Sequence, residues 1–277
     1  MDIEAYFNRI GYAGTPSPTL ACLREVLHCH PLAIPFENID SLVSGKVSLS
    51  PDAVFNKLVT QGRGGYCFEQ NRLLADMLTE IGFEVSTHAA RVVWHGMDKA
   101  LMPRTHMLLK IALDGDTYIA DAGFGGLTMT GPVRLELGVE QDSPHEAFRI
   151  DQDGDDYRIS ARLGQQWKAM YYFDLSSYIS PDFELANYYV STHPESRFVS
   201  NLVVARPFRN GRHALLNNAY TKYSREGVKT EKTISDPDEL MTLLTEIFNI
   251  RMEASVDTQK LRAILADLIA GSTDVVT

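Results

Sequence analysis

Cysteine is scarce in this chain of 277 residues, which contains only Cys22, Cys29 and Cys67. So small and odd a count implies no disulfide framework and points to a reducing compartment. Positive charge is also short. Lys and Arg number 26 against 36 Asp and Glu, a formal net charge of −10, whereas a duplex nucleic-acid binder usually carries the opposite sign. No apolar run approaches the roughly 20 residues of a membrane helix. The opening Met1-Asp2-Ile3-Glu4 is acidic where a secretory signal would be basic. Internal repeats, low-complexity tracts and obvious linkers are missing as well. What remains is a chain with 44% hydrophobic residues, enough for a core. The expectation is a cytoplasmic protein of closely packed domains, with neither nucleic acid nor membrane as partner.

The most informative stretch is Arg63-Gly64-Gly65-Tyr66-Cys67-Phe68-Glu69-Gln70-Asn71. Leu73, Leu74, Met77, Leu78 and Ile81 follow at helical spacing, and Gly82 is a plausible stop. Cys67 is therefore expected where a glycine turn becomes a helix. The first N–H groups of a helix lack internal partners and carry partial positive charge, which favours a negatively charged sulfur. Gly64 and Gly65 would let the backbone approach a substrate without a Cβ in the way. A buried structural cysteine is the bland alternative; the glycines and the polar run after Cys67 favour a reactive one.

Residues 1–84 read as helical. Leu20, Leu23, Val26 and Leu27 share a face, and the segment Pro31 to Asp40 is expected to break that helix. Ser50-Pro51 predicts the start of another, running to about Thr60. His28-Cys29-His30 has no second ligand pair at zinc spacing, so it reads as a helix end and no metal is expected. From Val85 the period changes to two. Strands are predicted to about Trp94, at 106–113, 116–121, 133–137, 146–150, 156–163 and 167–173, forming a small antiparallel barrel or curled sheet. Residues 174–198 read as irregular and rich in aromatics. Strands return from Val199, with a hairpin at Asn210-Gly211 and a further strand near Thr230 to Ile234. Asp236-Pro237-Asp238-Glu239 predicts a capping box, and a last helix ends near Gly271.

A thiolate nucleophile needs a base, and the base needs an orienting group. Asp114-Gly115 between apolar runs predicts a two-residue type I′ turn. Leu113 then faces Asp116, and His106 pairs with Gly123. Asp121, two residues from that partner, shares a face with His106, close enough for the side chains to meet. Cys67, His106 and Asp121 thus form a candidate nucleophile, base and orienting carboxylate.

Four segments carry a resemblance to a known family: Pro35-Phe36-Glu37-Asn38-Ile39, the stretch 63–71, Arg104-Thr105-His106, and Asp121-Ala122-Gly123-Phe124-Gly125. The chain resembles the arylamine N-acetyltransferases along essentially its whole length, less distinctively after Phe198. The resemblance implies an α+β fold of three domains with a triad like that of papain-like cysteine proteases: a helical bundle (1–84), a β-barrel (85–190) and an α/β lid (191–277). It puts nucleophile, base and carboxylate on the same Cys67, His106 and Asp121. It implies ping-pong acetyl transfer from acetyl-CoA, the co-substrate, to an arylamine, hydrazine or N-hydroxyarylamine through an acetyl-cysteine. The hydrophobic acceptor pocket would fall on Phe36, Val93, Phe124 and Phe198, and the coenzyme would approach Gly123, Gly125 and Gly126. That glycine run lacks the Lys-Ser/Thr of a P-loop and is not specific alone. Residues 197–232 hold eight Lys and Arg against two Glu, which suits either the phosphates of coenzyme A or a solvated face. Glu37 and Arg63 are expected to form a partly buried ion pair that ties the Pro35 segment to the Cys67 turn. The alternatives are an amide synthase of antibiotic biosynthesis, a cysteine hydrolase or transglutaminase-like enzyme, and a non-catalytic binder. Either a monomer or a homodimer fits.

Overall fold

Local signals account for most of the helices in the computed structural model, which describes residues 1–94, 96–252 and 256–273. Helix α1 (Ile3–Ile10) is capped by Asp2, whose side chain accepts from Ala5 N, and ends at Gly11 in the left-handed region. Helix α2 (Leu20–Ala33) starts at Thr19 and runs through Pro31, contrary to the expected break. Pro31 lacks only its own N–H, and the helix regains the bond from Ile34 N to His30 O. It stops where Pro35 forces Ile34 into an extended conformation. Strand β1 (Phe36–Glu37), α3 (Ile39–Val43) and α4 (Pro51–Phe55) follow. The expected helix to Thr60 forms, but Asn56–Thr60 is a π-helical turn. Helix α5 (Cys67–Ile81) begins at the cysteine and ends at Gly82, φ 104°.

Eight antiparallel strands come next: β2 (Glu84–Val92), β3 (Arg104–Leu113), β4 (Asp116–Ala120), β5 (Val133–Arg134), β6 (Glu140–Asp142), β7 (Ala147–Asp153), β8 (Asp156–Leu163) and β9 (Gln166–Phe173). Their spatial order is β5-β4-β3-β2-β9-β8-β7-β6. The sheet curls into a nearly closed barrel, and Gln141 spans the gap by bonding both N and O of Arg134. Strand β5 is shorter than expected: Leu135 N still reaches Thr117 O across the ladder, but Glu136 N then turns back to Arg134 O. Strand β3 is buried on both faces: Met107, Leu109 and Ile111 meet the helices, while Leu108 joins Ile150, Ile159 and Phe173 inside the curl.

The stretch expected to be irregular contains helix α6 (Ser180–Thr192), with Pro181 in its first turn and the Asp182 side chain bonded back to Ile179 N. Helix α7 (Arg197–Ser200) leads into β10 (Val203–Phe208), β11 (Gly211–Leu216), β12 (Ala219–Ser224) and β13 (Lys229–Thr233). The order of this second sheet is β1-β10-β11-β12-β13, so Phe36 and Glu37 reach across the chain to pair with Ala205 and Val204. Helices α8 (Pro237–Glu246) and α9 (Thr258–Thr273) build a separate core with the second sheet around Leu240, Leu244, Phe248, Leu261 and Leu265. Asp236 caps α8 as expected, but Glu239 pairs with Lys232 instead of turning back.

Candidate active site

Two turns bring the three residues singled out above together. At the hairpin, Asp114 (φ 52°) and Gly115 (φ 83°) both adopt the left-handed conformation that a type I′ turn requires. Leu113 faces Asp116, and the ladder runs in that register to Leu109 and Ala120. Asp121 lies one residue beyond β4 and is fully buried. Its Oδ2 accepts a 2.7 Å hydrogen bond from His106 Nε2. Its Oδ1 accepts from Asn71 Nδ2 at 2.9 Å and from Gly123 N at 2.8 Å. Asn71 also donates to Met107 O and accepts from Ala122 N, so one side chain of α5 ties down both strands.

Cys67 is buried at the first position of α5. With Nε2 engaged by Asp121, Nδ1 is the ring nitrogen of His106 left free to serve Cys67, whose sulfur helps to hold the imidazole in its charged form. A register shift between Ala90 and Arg91 leaves Thr105 outside the β2–β3 ladder, and the Thr105 carbonyl lies 3.8 Å from Cys67 Sγ. Burial alone would push the His106 imidazole down, but the Asp121 carboxylate outweighs it and raises the group to about 10. The Asp121 carboxyl is held below its usual range: burial opposes this, but His106 and the donors Asn71 and Gly123 prevail.

The glycines serve the protein's own packing. A Cβ on Gly64 would sit 2.2 Å from Pro35 O, one on Gly65 2.7 Å from Glu69 Oε2, and one on Gly123 2.6 Å from Cys67 Cα. The close approach expected of Gly64 and Gly65 is therefore to neighbouring chain segments. Gly125 (φ 81°) lies against the Phe36 ring, and Gly126 has open space beside it. Phe124 stands edge-on to His106 with ring centres 5.5 Å apart. Phe36 lies 6.1 Å from Phe198. Val93 is buried after β2, and its neighbour Trp94 packs on Phe124 at 6.3 Å. Sequence reasoning did not find Trp94 or Tyr171, whose ring lies 5.0 Å from His106. Asn71 was within reach of it, four residues after Cys67 on the same helix face.

Arg63 and Glu37 are both buried, and Nε and Nη2 of Arg63 reach Glu37 Oε1 at 3.0 and 2.7 Å. The pair belongs to a larger chain. Arg63 also meets Asp40 at 2.8 Å, and Lys57 meets Asp40 at 2.8 Å and Glu69 at 2.6 Å. Several cations of residues 197–232 are taken up internally. Arg206 donates to Leu32 O and Ile247 O, and Arg212 to Gly126 O and Thr128 O while pairing with Glu146. Arg209 and Arg225 are exposed.

Fold and site together define a class: α+β proteins in which a cysteine at a helix start meets a histidine held by a buried carboxylate. Comparison with known proteins supplies the family. A family model described as N-acetyltransferase matches residues 19–256. The arylamine N-acetyltransferase of Mycolicibacterium smegmatis is 44% identical over 209 residues, 74% of this chain and 76% of that one. Its counterpart in Mycobacterium tuberculosis H37Rv is 38% identical over 275 residues, 98% and 96% of the two chains. A Salmonella typhimurium relative, named arylamine N-acetyltransferase / N-hydroxyarylamine O-acetyltransferase, is 34% identical over 90% of this chain and 88% of that one. The solved structure of the Mycobacterium marinum arylamine N-acetyltransferase in complex with CoA superposes with a TM-score of 0.92 at 34% identity, covering 96% of this chain and 99% of that one. The chain belongs to the arylamine N-acetyltransferase family, a family of acyltransferases.

Proposed function

We propose that this protein transfers an acetyl group from acetyl-CoA to an arylamine, hydrazine or N-hydroxyarylamine through an acetyl-Cys67 intermediate. The observation that carries the reading is the line Cys67–His106–Asp121, closed at its far end by the 2.7 Å His106–Asp121 bond. The raised imidazole takes the thiol proton and holds it beside the sulfur. The sulfur attacks the thioester carbonyl; its new S–C bond replaces the S–C bond to coenzyme A, whose sulfur leaves with the proton from His106. In the second half an acceptor nitrogen or hydroxylamine oxygen attacks the acetyl carbon. The bond to Cys67 breaks, and His106 carries the acceptor's proton back to the sulfur. Asp121 orients the ring and stabilises the imidazolium. The Cys67 N–H, at the first position of α5, is the donor for the developing oxyanion. Phe36, Phe124 and Phe198, with Val93, suit an aromatic acceptor. The turn at Gly123, Gly125 and Gly126 suits the coenzyme; that the M. marinum relative has been solved in complex with CoA supports acetyl-CoA as the donor.

Mixing the protein with acetyl-CoA alone tests this directly. A burst of one equivalent of free CoA, with the acetyl mass on the Cys67 peptide, is the expected result. Iodoacetamide at neutral pH should label Cys67 first and abolish the burst. Acetyl on Cys22 or Cys29, or no burst, sinks the proposal. Release of ammonia from a glutamine peptide would favour the transglutaminase-like alternative.

A further inference from the structure

The buried charges beneath the Cys67 turn have a member whose work the acetyl-transfer scheme leaves unexplained. Glu69 sits in the first turn of α5, and its side chain is only 3% exposed. Its Oε2 accepts from Tyr66 N at 3.1 Å, which fixes the residue immediately before Cys67. The carboxylate folds back so closely over the turn that residue 65 has no room for a Cβ. Its other oxygen meets Lys57 Nζ at 2.6 Å. Lys57 reaches this point from the π-helical turn Asn56–Thr60, closed by the bond from Gln61 N to Asn56 O. Such turns are rare and concentrate at functional sites.

We propose that Lys57 is a positioning residue for acetylation: by neutralising Glu69 it keeps the carboxylate on Tyr66 N and so sets the place of the Cys67 sulfur. The argument rests on proximity and charge count. Three carboxylates, Glu37, Asp40 and Glu69, share two cations, and Lys57 is the one in contact with Glu69. Removing it leaves Glu69 buried beside two further carboxylates with Arg63 alone to balance them. Glu69 then has to take up a proton or leave its place, and either weakens its hold on Tyr66 N. The inference rests on the reading of Cys67 as the acetylated residue.

Single-turnover release of CoA on mixing with acetyl-CoA tests it in wild type, Lys57→Met, Lys57→Arg, Glu69→Gln and the Lys57→Met/Glu69→Gln double variant. Lys57→Met is expected to slow the burst by about 10²-fold, the scale of a small misplacement of a reacting group, with the dependence on acetyl-CoA concentration little changed. Lys57→Arg should recover most of the rate. Glutamine keeps a carbonyl for Tyr66 N and has no charge to neutralise, so the double variant should match Glu69→Gln alone. A double variant slower than both single ones would make Lys57 a general structural support and overturn the inference. So would a burst at the wild-type rate in Lys57→Met. If Lys57→Met fails to fold, the comparison of Glu69→Gln with the double variant still decides. A wild-type chain with no acetyl on Cys67 overturns the underlying reading and this inference with it.

Discussion

Arg63 and Glu37 meet beneath the Cys67 turn, and Arg262 and Asp238 meet between α8 and α9. The second pair has the better geometry: two parallel hydrogen bonds of 2.6 Å, against two bonds of 3.0 and 2.7 Å converging on one oxygen. Yet Arg262 and Asp238 are 56% and 62% exposed, and Arg63 and Glu37 1% and 0%. Water serves both Arg262 and Asp238 when they part, so breaking the exposed pair strands nothing. Parting Arg63 from Glu37 strands a charge that water cannot reach. Surroundings, not bond length, decide which pair the fold depends on.

Four measurements sharpen or break that contrast, the strongest first. Asp121→Asn keeps the side-chain shape but cannot hold the His106 tautomer, so kcat should fall by about 10⁴-fold with the fold intact. A folded variant with near-normal turnover would remove Asp121 from the mechanism. Next, Arg63→Ala and Glu37→Gln should each cost about 3–5 kcal/mol in denaturant unfolding, with slower acetylation. Two variants of wild-type stability would place this pair beside the exposed one.

The third measurement follows stability with pH. The His106 imidazole is raised from 6.5 to about 10, so its contribution is whole below pH 6.5 and lost as pH rises through about 10. Asp121 is lowered from 3.8, so its contribution is present above that value and lost as pH falls through the lowered one. The stability gap between wild type and His106→Gln should therefore be widest between pH 3.8 and 6.5 and narrow toward pH 10. A gap that widens with rising pH reverses the sign and refutes the pairing. The smallest effect belongs to the surface. Arg262→Ala and Asp238→Asn should leave the thermal midpoint where it is, and a clear drop in either would mean that exposure is a poor guide here.

How much of this could be read in the residues depends on the range of the signal. The meeting of His106 with Asp121 was legible because one tight turn carries a period of two from Leu113 and Asp116 into both strands. Helix α5 was legible from its glycines and apolar face. Helix α6 had signals, Pro181 in the first turn and Asp182 able to reach back, but its many aromatics read as loop. The continuation of α2 through Pro31 was missed because one lost hydrogen bond weighs less than the tertiary packing around it. Lys57 was illegible: a π-helical turn has no sequence period of its own, and it alone brings that side chain to Glu69. Trp94 and Tyr171 reach the site through strand pairings that no local pattern announces.

Phe36 bridges to Gly65 on one side and pairs with Ala205 on the other. The segment beside the Cys67 turn is thus held from both ends of the chain. During synthesis the helices emerge first, but the strand that completes the support of Phe36 and Glu37 emerges only after the whole barrel has been made. The nascent chain therefore carries Cys67 for most of its elongation without the second sheet at its back. Domains fold in order as they appear, and this site is among the last things the chain can finish.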